Sequence, residues 1–321
     1  QMFQYNLTFP HSGLFWYHSH VDGHEQVERG LQAPFLVQEK EPVVPKENEI
    51  IYVVDDLLLK DEEWYPFSTQ FVHGRLGNVL TVNGEKLQSN RVPSDTARLR
   101  FVNTANARNA VLFFGGKEVT VIGKDLEFGK PYNTTQVFIP PAGRVDLLVH
   151  ANKSDPTIIS RIIGNDQYTM AYVYHENAET DINFPSYDDF DKLRDEFSSL
   201  PVIHQINMSG FRTFSGLKWS FNGKIYPDDP QTYDLSEGNH VFEIRNTQGQ
   251  PHPIHFHGMK FMVLERNGVP VEDNFWYDTV YVSGNEQVKI GLVIEDEGKW
   301  VFHCHILEHA DSGMLGLLNV E

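Results

Sequence analysis

The chain has 321 residues, of which 40% are hydrophobic and 22% charged, with a formal net charge of −18. That length asks for two domains or a little more. The acidic balance argues against nucleic acid as a partner and leans towards cationic or neutral small molecules. No stretch is long and apolar enough to span a membrane as a helix, and the single cysteine, Cys304, excludes an internal disulfide.

Residues 4–9 alternate like a strand, 10–13 turn, and 14–20 form a second strand that ends in His18 and His20. The i, i+2 spacing of these histidines puts them on one face. Residues 30–37 are a third, apolar strand. Three short strands cannot close a sandwich, so 1–41 are expected to be the C-terminal remnant of a first domain. Residues 39–48 are charged and contain Pro42 and Pro45, as a linker does. Through 42–176 short apolar runs recur between Gly, Pro and Asn turns (50–59, 79–82, 97–102, 111–114, 119–122, 135–139, 145–149, 158–163, 168–174). That pattern predicts an all-β sandwich. Its histidines, His73, His150 and His175, do not cluster, and the domain is expected to be a structural spacer. Residues 177–200 form a connection with a short acidic helix, where Phe190, Leu193 and Phe197 have helical spacing. A last β domain occupies 201–321.

Two stretches of that last domain carry chemistry. Around the lone cysteine stand His303, His305, His309 and Met314. A thiolate with imidazole and a distant thioether is the donor set of a blue-copper site, and a second imidazole must come from elsewhere in the chain. Residues 299–302 read as a strand, so His303 and His305 point one way and Cys304 the other. A metal at Cys304 then lies back to back with metal at the two histidines. The second stretch holds His252, His255 and His257 at i, i+3 and i+5. For all three to bind metal an irregular backbone is expected, marked by Pro253 and Gly258. A lone cysteine is ordinarily a small buried hydrophobe and a single histidine is ordinarily structural. Eight of the fifteen histidines, however, fall in the three stretches 18–20, 252–258 and 303–314, which favours metal ligation. His11, His24, His73, His150, His175, His204 and His240 are scattered. Of these only His24 is near enough to a motif to support a ligand from behind.

Together, residues 16–20, 252–258 and 303–314 resemble three of the four copper motifs of multicopper oxidases. The resemblance implies tandem cupredoxin-like Greek-key β-sandwiches in the three-domain, laccase-like form, with the first domain truncated. It implies that His252, Cys304 and His309 hold a type 1 copper with Met314 axial. His255 would hold the type 2 copper, and His18, His20, His257, His303 and His305 the type 3 pair, four coppers in the complete protein. Cys304, His303 and His305 would relay electrons from a small-molecule or metal-ion donor to dioxygen, in a secreted, extracellular or periplasmic enzyme. Two departures stand out. No His-x-His-Gly motif precedes His18, so an N-terminal segment is expected to supply it. Ala310 replaces the carboxylate that many bacterial relatives carry after the second type 1 histidine, leaving Asp311 or Glu308 for proton delivery. The alternatives are a non-catalytic blue-copper or copper-binding protein with an incomplete trinuclear site, and a purely structural cupredoxin array. The sequons at Asn6, Asn133, Asn152 and Asn207 do not decide whether the chain is glycosylated.

Overall fold

The computed structural model describes residues 2, 4–214 and 216–321; Gln1, Phe3 and Ser215 lie outside the described residues. Two β-sandwiches follow a two-stranded ribbon. In the middle sandwich a six-stranded sheet faces a five-stranded one. The strand Thr96–Asn103 is buried at every position. It lies between Arg144–His150 and Glu49–Leu57, as a central strand covered on both faces must. Leu99, Phe101, Leu112, Phe114 and Leu147 fill the space between the sheets.

The last sandwich repeats the plan with another six-stranded and five-stranded pair. The five-stranded sheet runs in the order Gln231–Leu235, Leu315–Val320, Gly298–Cys304, His252–Phe256, Thr279–Val282. Its core contains Phe221, Phe242, Phe256 and Phe302 and extends to Cys304 and Met314, so the thiol closes one end of an apolar core.

The ribbon pairs Gly13–His18 with Gln32–Val37, with His18 opposite Gln32. Two strands alone are marginal in water. Here Arg144 Nε donates to the Leu14 carbonyl (3.1 Å) and so ties the ribbon to the middle sandwich. Residues 4–9 do not form the expected strand: they are exposed and pair with no neighbour among the described residues, and alternation without a partner strand makes no ladder.

Residues 39–48 are better anchored than a linker. Glu39 accepts from Arg98 Nη2 (2.8 Å) and Arg100 Nη2 (2.7 Å), and Val43 and Val44 pack against Ile122 and Leu148. The connecting helix is Phe190–Ser198, where Asp189 caps the N-terminus by accepting from Lys192 N (3.1 Å). Phe190 and Phe197 bury against Val241, Met262 and Trp276. No helix among the described residues is long and apolar enough to cross a membrane.

Candidate metal centres

The expectation of an irregular backbone around His252 is corrected by the structure. Residues His252–Phe256 form a regular strand between Thr279–Val282 and Gly298–Cys304. Ile254 lies opposite Cys304, and His255 opposite His303. Paired residues share a face and successive residues alternate. His252 therefore lies on the face of Cys304, and His255 and His257 on the face of His303. One alternation rule, applied to two neighbouring strands, sorts the donors into two sets.

In the first set, Cys304 Sγ stands 3.5 Å from His252 Nδ1 and 3.6 Å from His309 Nδ1, and the two nitrogens are 3.2 Å apart. The short helix Leu307–Asp311 brings His309 back to the thiol. Met314 N donates to the His309 carbonyl and Cys304 N to the Met314 carbonyl, so the buried thioether residue lies beside the thiol. His309 Nε2 donates to the Val72 carbonyl (3.0 Å), which leaves Nδ1 as the lone-pair nitrogen. The Trp219 ring packs 4.0 Å from His309 and 5.0 Å from His252. Burial pulls His252 down to about 3 and His309 well below the usual histidine range, so both imidazoles are neutral. Burial also pushes the Cys304 thiol up. A bound cation reverses that last effect, because a coordinated thiol ionises. One sulfur and two neutral nitrogens converging in a dry, apolar pocket fit copper.

The second set is a knot of six imidazoles. Ligand atoms of His20, His257 and His303 lie within 4.8 Å of one another. His257 Nε2 faces His303 Nε2 at 3.0 Å, and His18 Nε2 faces His305 Nε2 at 3.3 Å. The His255 ring lies 4.6 Å from that of His257. The outer nitrogens are tied to oxygen: His303 Nδ1 to the Cys304 carbonyl (2.9 Å), His18 Nδ1 to the Ser19 carbonyl (3.1 Å) and His255 Nδ1 to the Asp278 carbonyl (3.0 Å). Their Nε2 lone pairs consequently point inwards with no proton to share. Burial pulls His18 down to about 4 and His257, His303 and His305 well below the usual range, and their neighbours' charges add to the effect. Lone pairs converging at hydrogen-bond distance fit metal ions between them. A cavity of about 540 Å³ opens onto His18, His20, His255, His257 and His305.

Several supporting groups were not legible in sequence. Asp278 forms a bidentate pair with Arg144 (2.8 and 2.6 Å). Burial pushes the Asp278 carboxyl up, but the Arg144 guanidinium more than reverses this and holds it ionised. The Thr279 hydroxyl donates to Asp278 Oδ1 (2.9 Å) and accepts from His255 Nδ1 (3.1 Å). Asp125 Oδ1 receives the Arg144 amide (2.8 Å). Of the proton-delivery candidates beside Ala310, Asp311 holds His24 Nδ1 at 2.6 Å and Glu308 accepts from Asn106 Nδ2 at 2.6 Å. The middle sandwich contributes no imidazole to either set, yet its Val72, Asn106 and Arg144 reach both. Among the scattered histidines, His11 pairs with Glu127, His240 bonds the Ser236 carbonyl, and His204 stacks on Phe242. His73 meets Gln250.

Two back-to-back donor sets in a chain of β-sandwiches define a copper-dependent oxidoreductase of cupredoxin build. Multicopper oxidase family models match residues 16–170 and 198–321, and the chain belongs to that family. It is 24% identical to the multicopper oxidase mco of Staphylococcus aureus, over 96% of this chain and 68% of that protein. It is 26% identical to the iron transport multicopper oxidase fio1 of Schizosaccharomyces pombe, over 98% of this chain and 61% of that protein. Its fold superimposes on the McoA multicopper oxidase of Aquifex aeolicus with a TM-score of 0.81 at 22% identity, covering 97% of this chain and 76% of that one. Family membership brings copper in type 1, type 2 and type 3 sites, and oxidation with dioxygen as acceptor.

Proposed function

We propose that this chain couples one-electron oxidation of a small reductant to four-electron reduction of dioxygen to water. In this reading Cys304, His252, His309 and Met314 would hold the type 1 copper, His255 the type 2 copper, and His18, His20, His257, His303 and His305 the type 3 pair. The carrying observation is that Cys304 belongs to one donor set while its neighbours His303 and His305 belong to the other. Copper in these sites would supply one-electron exchange at the sulfur and pooled electrons for dioxygen at the imidazoles. The protein's part is connection and order. The backbone from Cys304 to either adjacent histidine is the covalent bridge between the sets, and the carbonyl-bound Nδ1 atoms hold the rings in place. His18 with His305, and His255 alone, are short of imidazoles for two of the three sites. A His-x-His-Gly segment entering the 540 Å³ cavity would complete them.

The donor class we favour is a phenol, an aromatic amine or a low-valent metal ion. His309 is fully buried and its Nε2 is bonded to the Val72 carbonyl, so the donor would act across that peptide rather than by touching the ring. The net charge of −18 favours cationic donors, and the S. pombe relative's name makes ferrous ion one to test. We place the reaction in an extracellular or periplasmic compartment.

The test is oxygen uptake by copper-loaded protein carrying the His-x-His-Gly segment, with a phenol and with ferrous ion, alongside Cys304→Ser. Loss of both the blue band and the uptake in the variant, with the sandwiches still folded, is expected. A blue band that survives Cys304→Ser rejects the type 1 assignment. A blue but oxygen-inert parent protein favours the electron-transfer alternative.

A further inference from the structure

A cavity of about 440 Å³ opens in the middle sandwich, between the edge strand Val79–Val82 of one sheet and Asp166–Tyr174 of the other. None of its lining residues belongs to either donor set. Three of them are cations, Lys86, Arg108 and Arg161, and none is a carboxylate. Arg108 is ion-paired with the buried Asp56, which leaves Arg161 and Lys86 as the lining cations with no ion pair among the described residues, in a chain of net charge −18.

Arg161 is the informative group. It is 2% exposed, on a strand that faces the sandwich interior. Nη1 donates to the Asp55 carbonyl (3.1 Å), Nη2 makes a long bond to the Arg108 carbonyl (3.4 Å), and Nε has no partner. Burial pulls this guanidinium down to about 10, only partly offset by Asp56 and Asp55. The nearby Asp56 carboxylate is already engaged by Arg108 Nε and the Gly77 amide. Lys86 is exposed at the mouth. A buried cation without a bonded carboxylate is costly, and a low-dielectric cleft of one sign concentrates the opposite ion. Beside the guanidinium the lining is apolar or aromatic: Ile163 lies two residues further along the same strand, Tyr168 is paired with Arg161 on the neighbouring strand, and Leu80 and Met170 complete it. A buried guanidinium set beside apolar and aromatic side chains offers both contacts that an organic anion needs.

We propose that this cleft binds a small organic carboxylate, its charge against Arg161 and Lys86 and its apolar body against Tyr168 and Met170. The site is separate from the copper chemistry and requires no electron transfer.

Calorimetric titration of the full chain with benzoate tests it, with benzyl alcohol and inorganic phosphate as comparison probes. Benzoate binds, benzyl alcohol binds at least about tenfold more weakly, and added salt weakens benzoate binding. Lys86→Glu, at an exposed position where folding is secure, weakens benzoate binding about tenfold or more. Arg161→Met abolishes it, with circular dichroism checking the fold of that variant. Four results would overturn the proposal: no benzoate binding, equal binding of benzoate and benzyl alcohol, phosphate binding as tight as benzoate, or benzoate binding that Lys86→Glu leaves unchanged.

Discussion

Single side chains behind the imidazoles decide how the ligands are presented. His255 is held at Nδ1 by the Asp278 carbonyl and the Thr279 hydroxyl, and that hydroxyl donates its own hydrogen bond to the Asp278 carboxylate. The proton of His255 is therefore fixed on Nδ1 and its Nε2 is free to bind. Thr279→Val removes one acceptor at small change in volume. It should cost about 1–2 kcal/mol, the usual penalty for losing a buried bond partner. In the copper-loaded protein it should alter the type 2 electron paramagnetic resonance signal while leaving the blue band of Cys304 intact. An unchanged type 2 signal would mean that the hydroxyl does not orient the ring. Asp278→Ala is a harsher change, because it removes the bidentate partner of the buried Arg144 guanidinium and leaves only the Asp125 carboxylate, at 3.8 Å. About 3–5 kcal/mol of destabilisation is expected, as for breaking one side of a buried ion pair, read as a shift in the urea midpoint.

Pairs of strands sort the ligands. His252–Phe256 and Gly298–Cys304 lie side by side in antiparallel register, and alternation sends Cys304 and His252 to one face and His303, His255 and His257 to the other. A register slip of one residue would exchange the faces. Gly258 ends this arrangement with φ +67, and a Cβ there would lie 2.2 Å from the Trp300 ring. Gly258→Ala therefore combines left-handed strain with a clash against a large ring. It should cost about 1–3 kcal/mol and displace His257, lowering the copper-to-protein ratio while the blue band remains. A full copper complement would refute that coupling. The connecting helix gives a milder case. Asp189→Ala removes the bond to Lys192 N and should lower stability by about 1 kcal/mol in thermal unfolding, as cap removals do.

At the scale of the whole molecule, burial sets the pH response of the copper-free protein. Nine imidazoles lie below their ordinary range, including His18 at about 4 and His252 at about 3. Their folded pKa values are lower than the unfolded value of 6.5, so below pH 6.5 the unfolded chain binds more protons and stability falls with pH. Glu28, Asp55, Asp125, Glu308 and His24 are shifted up and act in the opposite sense. Burial raises the Glu28 carboxyl to about 9, so its contribution is lost as pH rises through that value. The nine imidazoles outnumber these five groups, and the urea midpoint of copper-free protein should peak near neutrality and fall between pH 6.5 and 4. A midpoint that is flat or rises across that interval would show that these rings are not buried neutral in solution.

Much of this protein is written locally. The many short apolar runs between turn residues, the helical spacing of Phe190, Leu193 and Phe197, and the offsets of the histidines around Cys304 are all near-neighbour patterns. Strand alternation converts such patterns directly into faces, so the division between Cys304 and its flanking histidines was legible. At His252 the same rule applies in place of the expected irregular backbone: the strand His252–Phe256 accepts Pro253, and Gly258 lies just beyond its end. Tertiary structure alone decided the rest. Val72 reaches His309 across 237 residues of chain and Arg144 reaches Asp278 across 134, and Trp219 and Asp278 likewise come from separate segments, with no local pattern to announce any of them. The cleft around Arg161 likewise exists only where strands of the two sheets come together. Spacing along a chain specifies which face a side chain takes, but only packing specifies what it meets there.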